Sequence, residues 1–349
     1  MKFCFPMDIL IFDMDGVLID VSKSYRKTIQ KTVQIYMETC LGFKRTREDW
    51  ITHEEISLFK SAGGFNNDWD LTSGLLLYVL SLSGISSLRH LKRLSSIQET
   101  LSYLKTRSSL SRPRHAFRTG RKPLLSFLEK LKTSGGGLRG IRRILGTSWQ
   151  GWVYGIGDLE KENLIKRIFQ ELYLGKQFAS YYHLCPIFYK GKGLYEQERL
   201  LIPKKILSSL RRKVRMGIAS GRPRYEAELA LKRFRLRPYF DSVVTLDECT
   251  EEENRIFRST GKRRKCSKPS AYPILRAIEE IGVSSPRCGY VGDVVDDMEA
   301  AQAAKRNLPI LAVGFIRGYA NRRAMRDSLI NAGADLVIEN PKEFLSLVS

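Results

Sequence analysis

The chain has 349 residues and a formal net charge of +22, with 59 Lys and Arg against 37 Asp and Glu. An apolar fraction of 43% and a charged fraction of 28% are typical of a soluble globular protein with room for two domains. The most apolar window, residues 71–85, is too short and too polar to span a bilayer, and six scattered Cys without a C-x-x-C pair argue against a disulfide framework or a zinc site.

The first predicted element is a buried strand that ends in two acids. Residues 8–18 read D-I-L-I-F-D-M-D-G-V-L, an apolar run that stops at Asp13, Asp15 and Gly16. Ligands bind at the carboxyl ends of strands in open α/β sheets. Two acids this close repel each other unless a cation or a shared proton intervenes, so a divalent metal is the simplest interpretation. The alternative is a strand that leaves into an Asp-rich turn without chemical function.

Helices are predicted next, around a polar loop. Residues 21–38 have apolar residues at four-residue spacing, and Thr52 opens a second helix with the Thr-x-x-Glu spacing of a capping box. The loop at 61–70 contains Asn66, Asn67 and Trp69, whose polar groups and aromatic surface are possible substrate contacts. Equally, the asparagines could only cap the following buried helix, residues 71–82.

A basic segment follows at residues 86–151, rich in Ser, Arg and Lys, and we predict it to be partly irregular, with short helices at the apolar patches 124–131 and 141–145. Residues 86–145 hold fifteen Lys and Arg against Glu99 and Glu129, which contributes +13. This charge would attract nucleic acid or other anionic partners. A solvated basic surface is the preferred interpretation, because no recognisable nucleic-acid module accompanies the charge. The Gly135–Gly137 triplet reads as a flexible stretch rather than a phosphate loop.

The remainder alternates strands with helices after two further predicted helices at 160–174 and 195–213. This alternation predicts an α/β fold, a doubly wound parallel sheet, whose strand ends meet at one edge. The predicted strands are 214–219, 242–246, 288–291, 308–313 and 335–338, with helices at about 223–234, 268–281 and 321–331 and an Ala-rich helix after Asp297.

Polar side chains collect at that edge of the predicted sheet. They are Asp13, Asp15, Ser220, Lys268, Asp293 and Asp297. Carboxylates without His or Cys nearby favour a hard cation held by oxygen, most simply Mg²⁺. A lysine, Mg²⁺ and a hydroxyl beside a helix start suit a phosphoryl group. Because no thiolate or Ser–His pair is in view, the available nucleophile is a carboxylate, which implies an aspartyl-phosphate intermediate.

Four short motifs together resemble those of the haloacid dehalogenase (HAD) superfamily: D-M-D-G-V at 13–17, S-G-R-P at 220–223, K-P at 268–269 and G-D-V-V-D-D at 292–297. Their order and spacing resemble the phosphoglycolate-phosphatase-like subfamily, in which a helical cap is inserted after the first motif. The G-G-F-N-N-D-W loop and the opening V-L-I-D-V-S-K-S-Y-R-K-T-I also resemble a poorly characterised microbial branch of these hydrolases.

The resemblance implies a role for each matching residue. Asp13 corresponds to the nucleophile and Asp15 to the general acid and base. Ser220 and Gly221 correspond to the phosphate-binding positions, and Lys268 balances charge at the nucleophile and the phosphate. The implied metal set is Asp13, Asp15 through its main-chain carbonyl, Asp293 and Asp297; the last could instead position the lysine, and Asp296 stands beside it.

The resemblance also implies a domain arrangement. Residues 1–21 and 196–349 would form the HAD-like core, and residues 22–195 the helical cap with the basic insertion at about 86–151. The location is predicted to be cytoplasmic, because the chain starts without a signal peptide and its thiols read as reduced.

The predicted function is a Mg²⁺-dependent phosphatase for a small phosphorylated metabolite, such as phosphoglycolate or a sugar phosphate. Dehalogenases of the superfamily do not use an acid two residues after the nucleophile, so Asp15 favours phosphate transfer over halide displacement. The alternatives are a sugar phosphomutase of the same fold, or a protein that binds nucleic acid or an anionic surface through the basic insertion.

Overall fold

The computed structural model describes residues 7–44, 49–65, 67–111, 121–317 and 322–348. The chain divides into two compact units. The first unit comprises residues 1–21 and 199–349, and the second comprises residues 22–198. The second unit ends three residues later than the cap boundary predicted from the sequence.

A six-stranded parallel sheet forms the centre of the first unit, with strand order β5-β4-β1-β6-β7-β8. A separate two-stranded antiparallel sheet pairs β2 with β3. The strands are β1 (Ile9–Phe12), β2 (Ile19–Asp20), β3 (Arg199–Leu200), β4 (Arg215–Ala219), β5 (Ser242–Val244), β6 (Cys288–Gly292), β7 (Ile310–Phe315) and β8 (Leu336–Ile338). The predicted α/β fold with a parallel sheet is confirmed.

The strand β1 is apolar at every position because both faces of the sheet are covered. Ile9 and Ile11 belong to a core cluster that includes Ile274, which lies on a helix covering one face of the sheet. Phe12 points to the opposite face, where its ring meets Phe344 edge-on at a centroid distance of 5.8 Å. Alternating side chains therefore enter two different cores, which gives the continuous apolar run of a central parallel strand.

Seven helices of the first unit lie in its described residues: α9 (Lys204–Arg211), α10 (Arg224–Phe234), α11 (Leu246–Thr260), α12 (Tyr272–Ile281), α13 (Val295–Ala304), α14 (Arg322–Asn331) and α15 (Phe344–Leu347). The single helix predicted for 195–213 is wrong. A short 3-10 turn, β3 and α9 occupy that range, and Pro203 precedes α9 because it cannot continue a helix across that point.

The second unit is helical in its described part, with helices α1 (Tyr25–Ile35), α2 (His53–Ser61), α3 (Asp68–Leu82), α4 (Ile97–Ser111), α5 (Arg121–Thr133), α6 (Gly137–Leu145), α7 (Leu164–Leu174) and α8 (Gln177–Tyr182). A π-helical turn at Tyr36–Cys40 continues α1. The capping box predicted at Thr52 is confirmed, since its side chain accepts from Glu55 N–H and Glu55 caps Thr52 N–H.

The described part of the basic insertion is more regular than predicted, because α4, α5 and α6 occupy most of it. Each of these helices buries a narrow apolar row, including Leu104, Leu131 and Ile141, within a polar and cationic sequence. The short helices predicted at 124–131 and 141–145 are therefore confirmed as parts of α5 and α6, whereas α4 was not predicted because its apolar row is narrow and its sequence is rich in Ser.

The glycine triplet is a packing element rather than a flexible stretch. Gly137 N–H donates to Gly63 O at 3.0 Å. A Cβ at Gly64 would lie 2.8 Å from Gly137 N, which is too close for any side chain. The two glycine pairs therefore allow the loop before α3 to meet the start of α6 backbone to backbone.

No helix in the described ranges is long and apolar enough to cross a membrane.

Candidate active site

The candidate site begins at the ends of three neighbouring strands. Asp13 follows β1, Ser220 follows β4 and Asp293 follows β6, and β1 is hydrogen-bonded to both other strands. Asp13 N–H continues the ladder to Val291 O at 2.8 Å. Residues separated by up to 280 positions therefore meet because parallel strands end at one edge.

Lys268 joins this group from the loop before α12. Its Nζ donates to Asp13 Oδ1 at 2.7 Å, to Asp297 Oδ1 at 2.6 Å and to the Tyr290 hydroxyl at 3.1 Å. Burial alone would lower the pKa of Lys268, but the charges of Asp13 and Asp297 outweigh it and hold the pKa well above its ordinary value. The lysine is therefore a permanent cation in this site.

Asp297 accepts four hydrogen bonds, two at each carboxylate oxygen. Oδ1 accepts from Lys268 and, at 2.8 Å, from the Tyr290 hydroxyl. Oδ2 accepts from the N–H groups of Asp293 and Val294 at 3.1 and 3.3 Å. An ionised carboxylate offers about four lone-pair sites. The bonding of Asp297 therefore favours the positioning role over direct metal ligation.

Three buried carboxylates form a cluster. Ligand oxygens of Asp13, Asp293 and Asp297 all lie within 4.8 Å of one another. Burial raises the pKa of Asp13 to about 8; Lys268 opposes the rise, and the charges of Asp297, Asp15 and Asp293 add to it. With all three carboxylates ionised, they and one ammonium carry two net negative charges in a buried place, which a divalent cation would balance. Oxygen donors without sulfur or imidazole fit Mg²⁺.

Gly16 leaves room for the Asp293 carboxylate. A Cβ at Gly16 would lie 1.9 Å from Asp293 Oδ2, and the residue has a φ of +76°. Both facts require glycine here. The turn after Asp15 is therefore shaped by the acid of the fourth motif, which places the first and fourth motifs in contact.

Asp15 lies outside the buried acid cluster of the described residues, because its carboxylate turns toward Arg222. Arg222 Nε and Nη2 lie 2.7 and 2.6 Å from Asp15 Oδ1. Of the predicted metal set, Asp15 could contribute only its main-chain carbonyl, as the resemblance implies. Asp296 is likewise outside that cluster.

The S-G-R-P loop offers one backbone donor and one hydroxyl. Ser220 N–H donates to Val244 O, Arg222 N–H to Ser220 Oγ and Arg224 N–H to Asp247 Oδ2. Among the described residues, none accepts from Gly221 N–H, and a Cβ at Gly221 would meet only open space. Gly221 N–H and the Ser220 hydroxyl are thus the donors of this loop that suit an anion.

The predicted cap contacts give a mixed result. Asn66 lies outside the described residues. Asn67 is the N-cap of α3, since its Oδ1 accepts from Asp70 N–H at 2.8 Å, which is the capping alternative considered for this loop. Trp69 packs within the second unit, with Lys166 Nζ 4.2 Å from its ring centroid. Substrate contact by these residues stays a prediction.

Two site residues were missed from the sequence, Arg222 and Tyr290. The signal for Arg222 was its place inside the S-G-R-P motif, and the signal for Tyr290 was a hydroxyl in an otherwise apolar strand three positions before Asp293. Neither pattern names a partner, because Asp15 lies 207 positions from Arg222 and Lys268 lies 22 positions from Tyr290. Only the fold brings them together.

With this geometry in place, comparison with known proteins settles the family. The family model for haloacid dehalogenase-like hydrolases matches residues 7–305. The chain belongs to the haloacid dehalogenase-like hydrolases. The family predicted from the four motifs is therefore confirmed.

Individual relatives of this HAD-like hydrolase are distant. It is 25% identical over 301 residues to an imidazoleglycerol-phosphate dehydratase of Phytophthora nicotianae, covering 86% of this chain and 42% of the relative. It is 39% identical over 74 residues to a phosphoglycolate phosphatase of Xylella fastidiosa, covering 21% of this chain and 29% of the relative. The chain thus spans less than half the length of these relatives.

Among solved structures, the phosphatase Tt82 of Thermococcus thioreducens matches with a TM-score of 0.53 and 18% identity. The match covers 92% of this chain and 99% of Tt82. At this identity the likeness concerns the fold alone.

Proposed function

We propose that this HAD-like hydrolase is a Mg²⁺-dependent phosphatase that acts through an aspartyl-phosphate on Asp13. The observation that carries the proposal is the buried Asp13 carboxylate, oriented at Oδ1 by Lys268 and next to Asp293 at the shared strand edge. A carboxylate held by a lysine beside further acids suits phosphoryl transfer. Among the relatives, the phosphatase named for phosphoglycolate supports the same reaction class.

In the first half-reaction, an Asp13 carboxylate oxygen attacks phosphorus. The bond from phosphorus to the leaving oxygen breaks, its electron pair goes to that oxygen, and Asp15 donates the proton. In the second, Asp15 takes a proton from water, whose oxygen attacks phosphorus and releases phosphate and the Asp13 carboxylate. Lys268 stabilises the added negative charge throughout, and Ser220 with Gly221 N–H binds the phosphoryl oxygens.

The metal fits the chain's own residues. The carboxylates of Asp13 and Asp293 and the Asp15 carbonyl would hold Mg²⁺, and Asp297 would position Lys268 beside them. When bound, the ion acts as a Lewis acid that neutralises charge on the phosphoryl group. The same residues would serve a phosphomutase, but hydrolysis needs no second phosphorylated partner and is the simpler proposal.

The test is metal removal with a panel of phosphate monoesters: phosphoglycolate, glucose 6-phosphate and imidazoleglycerol phosphate. EDTA should silence release of inorganic phosphate and excess Mg²⁺ should restore it. Ca²⁺ should restore less, because it prefers a larger and looser oxygen shell. The panel also separates a phosphoglycolate-like from a sugar-phosphate substrate.

Asp293→Asn sharpens this test. The variant should raise the Mg²⁺ concentration for half-maximal rate by at least about tenfold. Even the loss of a residue that only hydrogen-bonds a metal ligand lowers metal affinity by about that factor. Full activity after EDTA treatment, or an unchanged Mg²⁺ requirement in Asp293→Asn, would contradict the metal assignment.

A second candidate function is anion binding by the basic insertion. Arg139, Arg142 and Arg143 are exposed on α6 at helical spacing, so they share one face, while Ile141 is buried on the other. None of the three forms an ion pair within the described ranges. Such a face suits a phosphate backbone.

We expect a charge-reversed variant, Arg139→Glu with Arg142→Glu and Arg143→Glu, to leave phosphate release unchanged. Binding of a fluorescent oligonucleotide should weaken steeply with salt in the wild type and be lost in the variant. A wild type that does not bind the oligonucleotide at low salt would remove this candidate and leave the phosphatase proposal intact.

A further inference from the structure

Arg222 is an arginine that the fold buries completely at the candidate site. It lies between Gly221 and Pro223 in the loop from β4 to α10, and its side chain is 1% exposed. A guanidinium is almost never buried without anionic partners, because its desolvation is costly. Its place therefore requires a specific reason.

The contact with Asp15 is one-sided. Nε and Nη2 of Arg222 both lie within hydrogen-bond distance of Oδ1 of Asp15, at 2.7 and 2.6 Å. Within the described ranges, Oδ2 accepts no hydrogen bond, and the Asp15 side chain is 22% exposed. One oxygen is thus fixed by two donors, and the other has no donor among the described residues.

The backbone of Arg222 is held on both sides. Its N–H donates to Ser220 Oγ at 3.2 Å, and its carbonyl accepts from Leu246 N–H at 2.9 Å. The following proline also disfavours helical backbone at this residue. The Arg222 side chain therefore extends to Asp15 from a backbone that is held in place by hydrogen bonds.

We propose that Arg222 is a positioning residue that fixes Oδ1 of Asp15 so that Oδ2 carries the transferred proton. This inference rests on the proposed phosphatase reaction. In the first half-reaction the proton leaves Oδ2 for the leaving oxygen as the bond to phosphorus breaks. In the second, a water proton returns to Oδ2. Arg222 stays protonated in both and touches neither substrate nor phosphorus.

The loop at residues 220–223 then has two roles, binding of the phosphoryl group and positioning of Asp15. Ser220 and Gly221 face the phosphoryl group, and Arg222, one residue on, aims the acid at the ester oxygen. Because the same short loop sets both groups, the distance between phosphate and proton donor is defined by local backbone geometry. A misplacement of about 1 Å can cost about 10²-fold in rate.

The leaving group distinguishes this role from a structural one. An alkyl phosphate such as phosphoglycolate needs its leaving oxygen protonated, whereas p-nitrophenyl phosphate releases a stable phenolate without that help. The value of kcat/KM reports steps through formation of the phosphorylated enzyme. Arg222→Ala should therefore lose about 10²-fold in kcat/KM with phosphoglycolate, and much less with p-nitrophenyl phosphate.

Three further measurements complete the test. Asp15→Asn should show the same dependence on leaving group, and Asp15→Asn with Arg222→Ala should lose no more than Asp15→Asn alone. Guanidinium at millimolar concentration should partly restore Arg222→Ala but not Asp15→Asn, whereas NaCl of equal ionic strength should not. Arg222→Lys keeps the charge without the planar fork and should fall between wild type and Arg222→Ala.

Arg224→Ala is the matched control. Arg224 lies two residues later and pairs with Glu228 and Glu248 rather than with Asp15. It should lose stability without any dependence of kcat/KM on the leaving group. Thermal midpoints of all variants show whether folding accounts for a loss.

The outcomes separate the inference from the proposed function. Equal losses of Arg222→Ala with both esters, without rescue by guanidinium, would overturn the inference while Asp15→Asn still supports the phosphatase. An Arg222→Ala enzyme as active as the wild type would overturn it as well. A wild type that hydrolyses neither ester would overturn the proposed function and this inference together.

Discussion

Asp13→Asn is expected to lower turnover by at least about 10⁴-fold, the scale of removing a covalent nucleophile. The amide keeps the shape of the carboxylate and the bond from Lys268, but an amide oxygen does not form the phosphorylated intermediate. Release of inorganic phosphate from the best ester of the panel measures the loss. Mass spectrometry of acid-quenched wild type should find a phosphoryl group on the peptide that contains Asp13, and none in the variant.

The variant should fold at least as well as the wild type in EDTA. Burial raises the pKa of Asp13 to about 8, so its ionised form is disfavoured in the metal-free protein. An acid whose folded-state pKa lies above its unfolded value gives stability at low pH and loses it as pH rises. Wild-type stability in EDTA should therefore decline between about pH 4 and about pH 8 through this group, and Asp13→Asn should decline less.

Asp8→Asn provides the matched control for this prediction. Asp8 precedes the same strand β1 but pairs with Arg287, and its side chain is 41% exposed. The control should keep normal turnover. Retained turnover in Asp13→Asn would contradict the assignment of Asp13 as the nucleophile.

The sheet and its functional edge were predictable because their signals are local. Each central strand is a short apolar run closed by Asp, Ser or Gly, as in Ile9–Phe12 before Asp13. Strand–helix alternation then requires parallel strands, and parallel strands place their ends together. The chemistry of that edge followed from which side chains it carried.

Helix boundaries near the junction of the units were not predictable in the same way. The range 195–213 contains enough apolar spacing for a helix, yet β3 forms there because it pairs with β2 from the start of the chain. Tertiary pairing overrides local propensity in such places. The helix α11 was missed for a different reason, because it buries little apolar surface beyond Cys249.

Roles within the site depended on contacts that no spacing reveals. The sequence left Asp297 with two roles, and the four donors around its carboxylate favour the positioning role. Gly16 read only as a turn residue, whereas its missing side chain makes room for Asp293. Lys268 lies 29 positions from Asp297 and Asp293 lies 277 positions from Gly16, so only the fold shows these two contacts.

Lys268→Met is expected to lower kcat by about 10²- to 10³-fold, the effect of losing one charge-stabilising donor. The variant also leaves Asp13 and Asp297 without their shared cation in a buried place. Breaking a buried ion pair from one side costs about 3–5 kcal/mol of unfolding free energy. Urea denaturation in EDTA should show that loss, and Mg²⁺ should reduce it by restoring positive charge.

Tyr290→Phe tests the same network more gently. It removes one donor to Asp297 and one acceptor for Lys268 but leaves the cation and both carboxylates. A lost hydrogen bond of this kind costs about 1 kcal/mol. Its effect on kcat should be clearly smaller than that of Lys268→Met, because the charge beside Asp13 remains.

A double variant separates folding from catalysis at Lys268. In Lys268→Met with Asp297→Asn, the amide oxygen can accept from the N–H groups of Asp293 and Val294, and the amide NH₂ can donate to the Tyr290 hydroxyl. One buried charge is removed with its partner, so much of the lost stability should return. Turnover should stay low, since nothing then offsets charge at Asp13 and the phosphoryl group. Recovery of both together would mean that Lys268 serves the fold alone and would contradict its place in the reaction.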